Sequence, residues 1–173
     1  MNPPAVHTLP SATFAAAQRR HFVLSVLLPT AAALALPWLL PRHAGWAAGL
    51  GLGMWFLVGG VGVSVGLHRH FAHRSFEARP ALRLVLAALG GMAAQGTVSY
   101  WVSLHRMHHA ASDRPGDPHS PQPAAWPGLG GARWAAAWRG HLGWVWRHDV
   151  PNPRRYAREL LADELVRAAD SRY

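Results

Sequence analysis

Two long stretches of this chain carry no charge: HFVLSVLLPTAAALALPWLL, from His21 to Leu40, and AGWAAGLGLGMWFLVGGVGVSVGL, from Ala44 to Leu67. A helix rises ~1.5 Å per residue, so the first run alone reaches ~30 Å, the depth of a bilayer's hydrocarbon. Backbone polar groups in that medium must be satisfied within the segment, and a helix does so. Pro29 is expected to kink the first run, which membrane helices tolerate. Pro41–Arg42 form a short turn, making residues 21–67 a transmembrane hairpin. Gly45, Gly49 and Gly53, and again Gly62 and Gly66, recur every four residues and offer faces for close helix packing. The string GLGLG lies inside an apolar run with no strand before it, so it is not a nucleotide loop.

The charges gather at the ends of these runs. Arg19 and Arg20 precede the first, while Arg69, Arg74, Arg79 and Arg83 follow the second. In a hairpin both groups face one side. An excess of arginine beside membrane segments marks the cytoplasm, with Arg42 alone opposite. The chain's net charge of +9 is thereby explained by membrane flanks. The arginines form no stripe of their own, so membrane lipid is the expected partner and nucleic acid is not. The absence of cysteine removes disulfides, thiolate metal sites and thiol catalysis.

The fold class that follows is all-α: an integral membrane protein with two transmembrane helices, an interfacial helix and a cytoplasmic, histidine-rich region. Residues 1–20, rich in proline, read as a disordered tail. Residues 68–173 read as the cytoplasmic and interfacial part. Within it, residues 82–104 form a third apolar segment, interrupted by Gly90–Gly91, Gln95–Gly96 and Thr97. Residues 120–140 read as loop. A last amphipathic helix starts at Asn152–Pro153, with Asn as cap and Pro in the first turn. Its apolar face is Ala157, Leu160, Leu161, Leu165 and Ala168.

The chemistry lies in the histidines. The chain has twelve, and two clusters hold most of the interest: HRHFAH, from His68 to His73, and HRMHH, from His105 to His109. Positions 105, 108 and 109 are spaced i, i+3, i+4, which turns three rings toward one side of a helix. Such a face suits a metal. His68 and His73 fall about 140° apart on an ideal helix. They share a metal only if the helix ends between them; otherwise they bind separate ions. Imidazole ligation suits iron, copper, nickel or zinc. Five histidines exceed the four ligands of one tetrahedral ion, favouring two metals or one redundant site. His7, His21 and His43 stand alone and read as polar anchors.

GLHRHFAHRSF resembles the first histidine box, H-x4-H, of the integral-membrane fatty acid desaturases of the acyl-CoA (delta-9) type. SLHRMHHAASDRPGDPHSP resembles their second box, H-x2-H-H with a D-x3-D-P-H tail, and HLGWVW, residues 141–146, resembles the segment after it. The resemblance runs from about Gly45 to the C-terminus. It implies a cytoplasmic non-haem di-iron centre with His68, His73, His105, His108 and His109 as ligands. Asp113, Asp117 and His119, in the tail, are implied as partners of the ligand rings. His70 falls at a position the pattern leaves free. The implied reaction introduces a cis double bond into a saturated acyl chain, with O2 as oxidant. The acyl group would ride on CoA, an acyl carrier protein or a lipid. Two electrons would come from an external donor, such as a ferredoxin or a cytochrome with its reductase. If both boxes serve one centre, residues 82–104 cannot cross the bilayer, so they lie along the interface, dip into it or pack under the site.

The resemblance is to the N-terminal half. The family's third box, another H-x2-H-H, has no match after residue 109, and Arg114 stands where the family usually has threonine. The expectation is therefore a desaturase-like chain truncated before that box, working with a separately encoded second half. The alternatives are an inactive fragment, a non-catalytic histidine metal-binding membrane protein, and a related hydroxylase.

Overall fold

The computed structural model describes residues 7–41, 45–126, 128 and 131–173. The fold is all-α. Among the described residues the strands are β1 (Thr8–Leu9) and β2 (Val150–Pro151), paired antiparallel. One long helix begins as α1 (Ser11–Phe22), widens to π-winding over Val23–Leu27 and continues as α2 (Leu28–Leu39). Proline clashes with the carbonyl four residues back and lacks an N–H. Pro29 sits directly after the wide-wound stretch, which opens the helix there and accommodates both defects.

The expected tail is thus largely structured. Residues 1–6 lie outside the described set, but the helix starts at Ser11, ahead of the apolar run. The ordering comes from tertiary contacts that composition does not announce. The Gln18 amide donates to the His148 carbonyl at 2.8 Å, and Phe22 meets the edge of Trp146 at 5.4 Å.

The second long helix is α3 (Gly45–Trp55) followed by π-wound Phe56–Ala72. Both long helices are long and apolar enough to cross a membrane. They carry an exposed belt that includes Leu34, Trp38, Leu39, Trp46, Leu52 and Trp55. So large an exposed apolar surface suits lipid and not water. From Val61 onward the second helix changes character: Gly62, Gly66, Leu67, Phe71 and Ala72 are buried by the rest of the chain.

The third apolar segment is not one element. It divides into α4 (Pro80–Met92) and α5 (Val98–Ala111). The turn between them needs left-handed backbone at Ala94 (φ 53°) and Gly96 (φ 101°). Helix α4 packs along the buried zone of the second helix. Gly62 lies against Leu89 and Gly90, and Gly66 against Leu86. This is the small-residue face the sequence offers at 62 and 66. The face at Gly45, Gly49 and Gly53 meets no atom within 4 Å among the described residues. A Cβ at Gly62 would stand 2.5 Å from the Leu89 backbone. Gly62→Val is therefore expected to destabilise the detergent-solubilised protein by about 1–3 kcal/mol. Gly49→Val should leave the melting temperature unchanged in the same thermal scan.

The last amphipathic helix is three short ones: α8 (Pro153–Tyr156), α9 (Arg158–Ala162) and α10 (Glu164–Asp170). Asn152 caps α8 through the Arg154 amide, as expected. Asp163 caps α10 through the amides of Leu165 and Val166. The breaks at Ala157 and Asp163 reset the helical phase. Ala157 and Leu160 are buried as the periodicity predicts, but Leu161 and Ala168 are exposed and Val166 takes a core place. The stretch read as loop also holds a 3-10 turn at Pro123–Ala125 and α6 (Arg133–Trp138). That helix runs through π-wound Arg139–Gly143 into α7 (Trp144–Trp146).

The core is small and sits beneath the histidine clusters. Leu67 and Phe71, Leu86, Val98 and Val102, and Leu160 and Val166 meet there from the second helix, α4, α5 and the C-terminal helices.

Candidate metal centre

His68 and His73 occupy the end of the second long helix. On an ideal α-helix they would diverge, and the helix does not end between them. It winds wider instead. The His73 amide donates to the His68 carbonyl at 3.0 Å, an i→i+5 bond that sets His73 directly above His68. Their rings meet at 4.5 Å.

His105 and His109 lie one turn apart on α5 and face that pair. His105 Nε2 stands 2.9 Å from His73 Nε2 and 3.0 Å from His109 Nε2. The His68 ring lies 4.6 Å from that of His105. The four residues each bring one ring nitrogen within 4.8 Å of all the others. Metal–imidazole bonds of ~2.0–2.1 Å separate neighbouring ligand nitrogens by about 2.9 Å at a right angle. The donor set therefore fits one ion.

Burial, followed by the neighbouring rings of His109, His68, His73 and His108, pushes the His105 imidazole down to about 3. Burial and the same kind of neighbour lower His109. A neutral ring keeps its lone pair free for a metal.

His108 is not part of this group. Its spacing of three from His105 swings it to the other flank of α5. There its Nδ1 lies 2.9 and 3.0 Å from the two Asp117 oxygens. Asp117 is almost fully buried and also accepts the amides of Asp113 and His119. Burial alone would raise the Asp117 carboxyl, but the bonds from His108, His119 and Asp113 bring it below its ordinary value. A carboxylate so held favours the proton on His108 Nδ1 and leaves Nε2 as an acceptor, 3.4 Å from the Ser112 hydroxyl. His119 stacks on His108 at 4.4 Å and 22°. With Asp117 the two rings bring one ligand atom each within 4.8 Å of one another, a second group of donors with the spacing to hold an ion. Asp113 acts through its backbone and through Ser120, whose hydroxyl donates to its carboxylate at 2.5 Å. All three tail residues thus gather around His108.

Several supporting residues give no sequence signal. Arg106, inside the second box, uses all five of its N–H bonds. They reach the Phe71 and Ala72 carbonyls just before His73, the Tyr156 carbonyl and Glu159 Oε1, at 2.6 to 3.2 Å. Glu159 also receives Arg74 at 2.9 Å. Burial favours the neutral Glu159 carboxyl, but the Arg106 bond and both guanidinium charges hold it low. Trp101 stacks on His105 at 5.0 Å and donates to Gln95 at 2.9 Å. Asp170, at the end of α10, accepts the Val98 amide at 2.8 Å and adds to the cap that the Thr97 hydroxyl gives α5 through the Tyr100 amide.

Comparison with known proteins agrees with this geometry. The fatty acid desaturase family model matches residues 43–171. Over 160 residues the chain is 44% identical to the hex-5-enoyl-[acyl-carrier protein] acetylenase of Moorena producens, covering 90% of this chain and 49% of that protein. It is 34% identical over 132 residues to the sn-1 stearoyl-lipid 9-desaturase of Synechocystis, covering 73% and 37%. It is 35% identical over 109 residues to acyl-CoA desaturase 1 of Saccharomyces cerevisiae, covering 63% and 19%. The chain spans about half the length of these relatives or less. With two apolar helices of spanning length and the matched residues running through both histidine clusters, the chain belongs to the fatty acid desaturase family of membrane proteins.

Proposed function

We propose that this chain forms the iron-holding N-terminal portion of a desaturase that places a cis double bond in a saturated acyl chain. The observation that carries the proposal is the convergence of His68, His73, His105 and His109 from two elements onto one point. His108, on the far flank of α5 with its Nε2 3.4 Å from the Ser112 hydroxyl, serves a second ion whose further ligands lie outside residues 1–173. When bound, iron at these rings supplies the O2-dependent oxidation that removing two hydrogens from unactivated methylenes demands. Two electrons and two protons from outside complete the balance, and both oxygen atoms leave as water. A ferredoxin or a cytochrome with its reductase suits that electron supply.

The residues around the centre receive the chain. A largely apolar cleft of about 260 Å³ runs between the first long helix and α5, bounded by Val26, Trp101, Leu104 and Trp144 with His21 and Tyr100 among its polar walls. Trp101 forms its wall and also stacks on His105. An acyl chain in this cleft is led toward the histidines, and the indole covers one face of His105. Relatives are named for acyl-carrier-protein, lipid and CoA substrates. The common element is an acyl chain on a polar carrier.

Both boxes lie on the cytoplasmic side in this reading, with residues 21–67 as the crossing hairpin and residues 68–173 as the surface part. The exposed belt ends where α4 begins to cover the second helix. The helix end from Val61 to Ala72 then rises from the membrane, and α4 and α5 stand against it.

Cells expressing the chain with its complementary segment should gain unsaturated fatty acids by mass-spectrometric profiling, and the purified protein should carry iron. One equivalent of zinc without iron, or unchanged profiles, would refute this function.

A further inference from the structure

The cytoplasmic end of the first long helix holds a second cleft, remote from the histidines. It measures about 330 Å³ and is lined by Ala12, Ala15, Arg19, Trp146 and Arg147. Ala12, Ala15 and Arg19 share one face of α1, and Trp146 is fixed by its edge contact with Phe22. Arg19 and Arg147 are both exposed. Neither has a carboxylate within ion-pair distance among the described residues, whereas Arg74, Arg83 and Arg106 are each paired. Arg19 spends only its Nε, on the Ala15 carbonyl at 3.3 Å, so its terminal nitrogens stay available.

The position of the cleft selects its occupant. The exposed apolar belt of the first helix begins at Val23, one turn beyond Arg19. A phospholipid whose tails lie along that belt carries its phosphate about one turn higher, at the level of the two guanidiniums. Guanidinium grips phosphate oxygens in pairs, and Trp is favoured at the membrane–water boundary. We propose that Arg19, Arg147 and Trp146 form a binding site for the headgroup of an anionic glycerophospholipid. The inference rests on the first helix lying in the membrane and not on the metal centre.

The test uses the full chain in phosphatidylcholine nanodiscs with increasing phosphatidylglycerol, read as the rise in melting temperature. Each arginine near an anionic surface strengthens binding about fivefold. The double variant Arg19→Gln/Arg147→Gln should therefore need roughly 25-fold more phosphatidylglycerol for the same rise. Arg167→Gln/Arg172→Gln, which removes equal charge from exposed sites elsewhere, should follow the unaltered protein. Three results would overturn the site: the Arg19/Arg147 variant tracking the unaltered protein, both double variants shifting alike, or inorganic phosphate stabilising as well as the lipid.

Discussion

Replacing His105 with alanine is expected to weaken metal binding by roughly 100-fold or more, because outer partners of metal ligands already cost 10–100-fold. His105 is the hub of the cluster, with its Nε2 facing His73 and His109 together. His108→Ala should leave the affinity of this first site within about threefold, since its ring is turned to Asp117. Cobalt titration of the metal-free protein, read by absorption, separates the two. Equal losses from both variants would return His108 to the same ion. The pH dependence follows from the same ring. His105 titrates near 3 in the folded protein and near 6.5 when unfolded, so the unfolded chain binds more protons between those values. Its contribution to the metal-free fold is present above about pH 6.5 and is lost as pH falls toward 3. The His105→Ala variant should show a flatter decline.

Arg106→Gln is the second large effect. The change removes the fork that ties the carbonyls before His73 to Tyr156 and Glu159. It leaves Glu159 with Arg74 alone and strands the carbonyls of Phe71 and Ala72. Hydrogen bonds to charged groups predict a loss of about 2–3 kcal/mol for a partly exposed cluster. Because the ties join the first box to the second, metal affinity should fall as well, by about 10–100-fold. Arg106→Lys keeps the charge without the fork and should recover little. Arg83→Gln breaks the pair with Asp163 and the 6.0 Å contact of its guanidinium with the Phe71 ring, but removes no bond to the Phe71 and Ala72 carbonyls. It should lower stability while leaving cobalt affinity intact. Parallel loss of affinity in both variants would mean that Arg106 supports the fold and nothing more.

The histidines themselves were legible in the chain, and so was their adjacency to membrane segments. Their partition was not. The i, i+3, i+4 pattern turns three rings broadly one way, but 60° of rotation decides whether a ring meets a metal or Asp117. The His68–His73 pair looked out of phase because α-helical winding was assumed. A run of glycine, valine and leucine gives no local sign that it winds wider. The break in residues 82–104 was visible in Gly90–Gly91 and Gln95–Thr97. The breaks at Ala157 and Asp163 were not, since alanine favours helix and Asp163 also suits an exposed helical face. Arg106 carries no local sign of its role, and only its distant acceptors reveal it.

Those distant acceptors also set a timetable. The Arg106–Glu159 tie spans 53 residues of chain, and the bond from Asp170 to the Val98 amide spans 72. At ~5–20 residues per second, the ribosome adds the stretch from the second box to Asp170 over several seconds. Throughout that interval both long helices can already be in the bilayer and Thr97 can already cap α5, yet the helix lacks Asp170 at its start and Glu159 at its brace. The four imidazoles therefore gather late, after the segment that seats them has been made. An ion offered during synthesis meets scattered rings, and one offered afterwards meets a finished site.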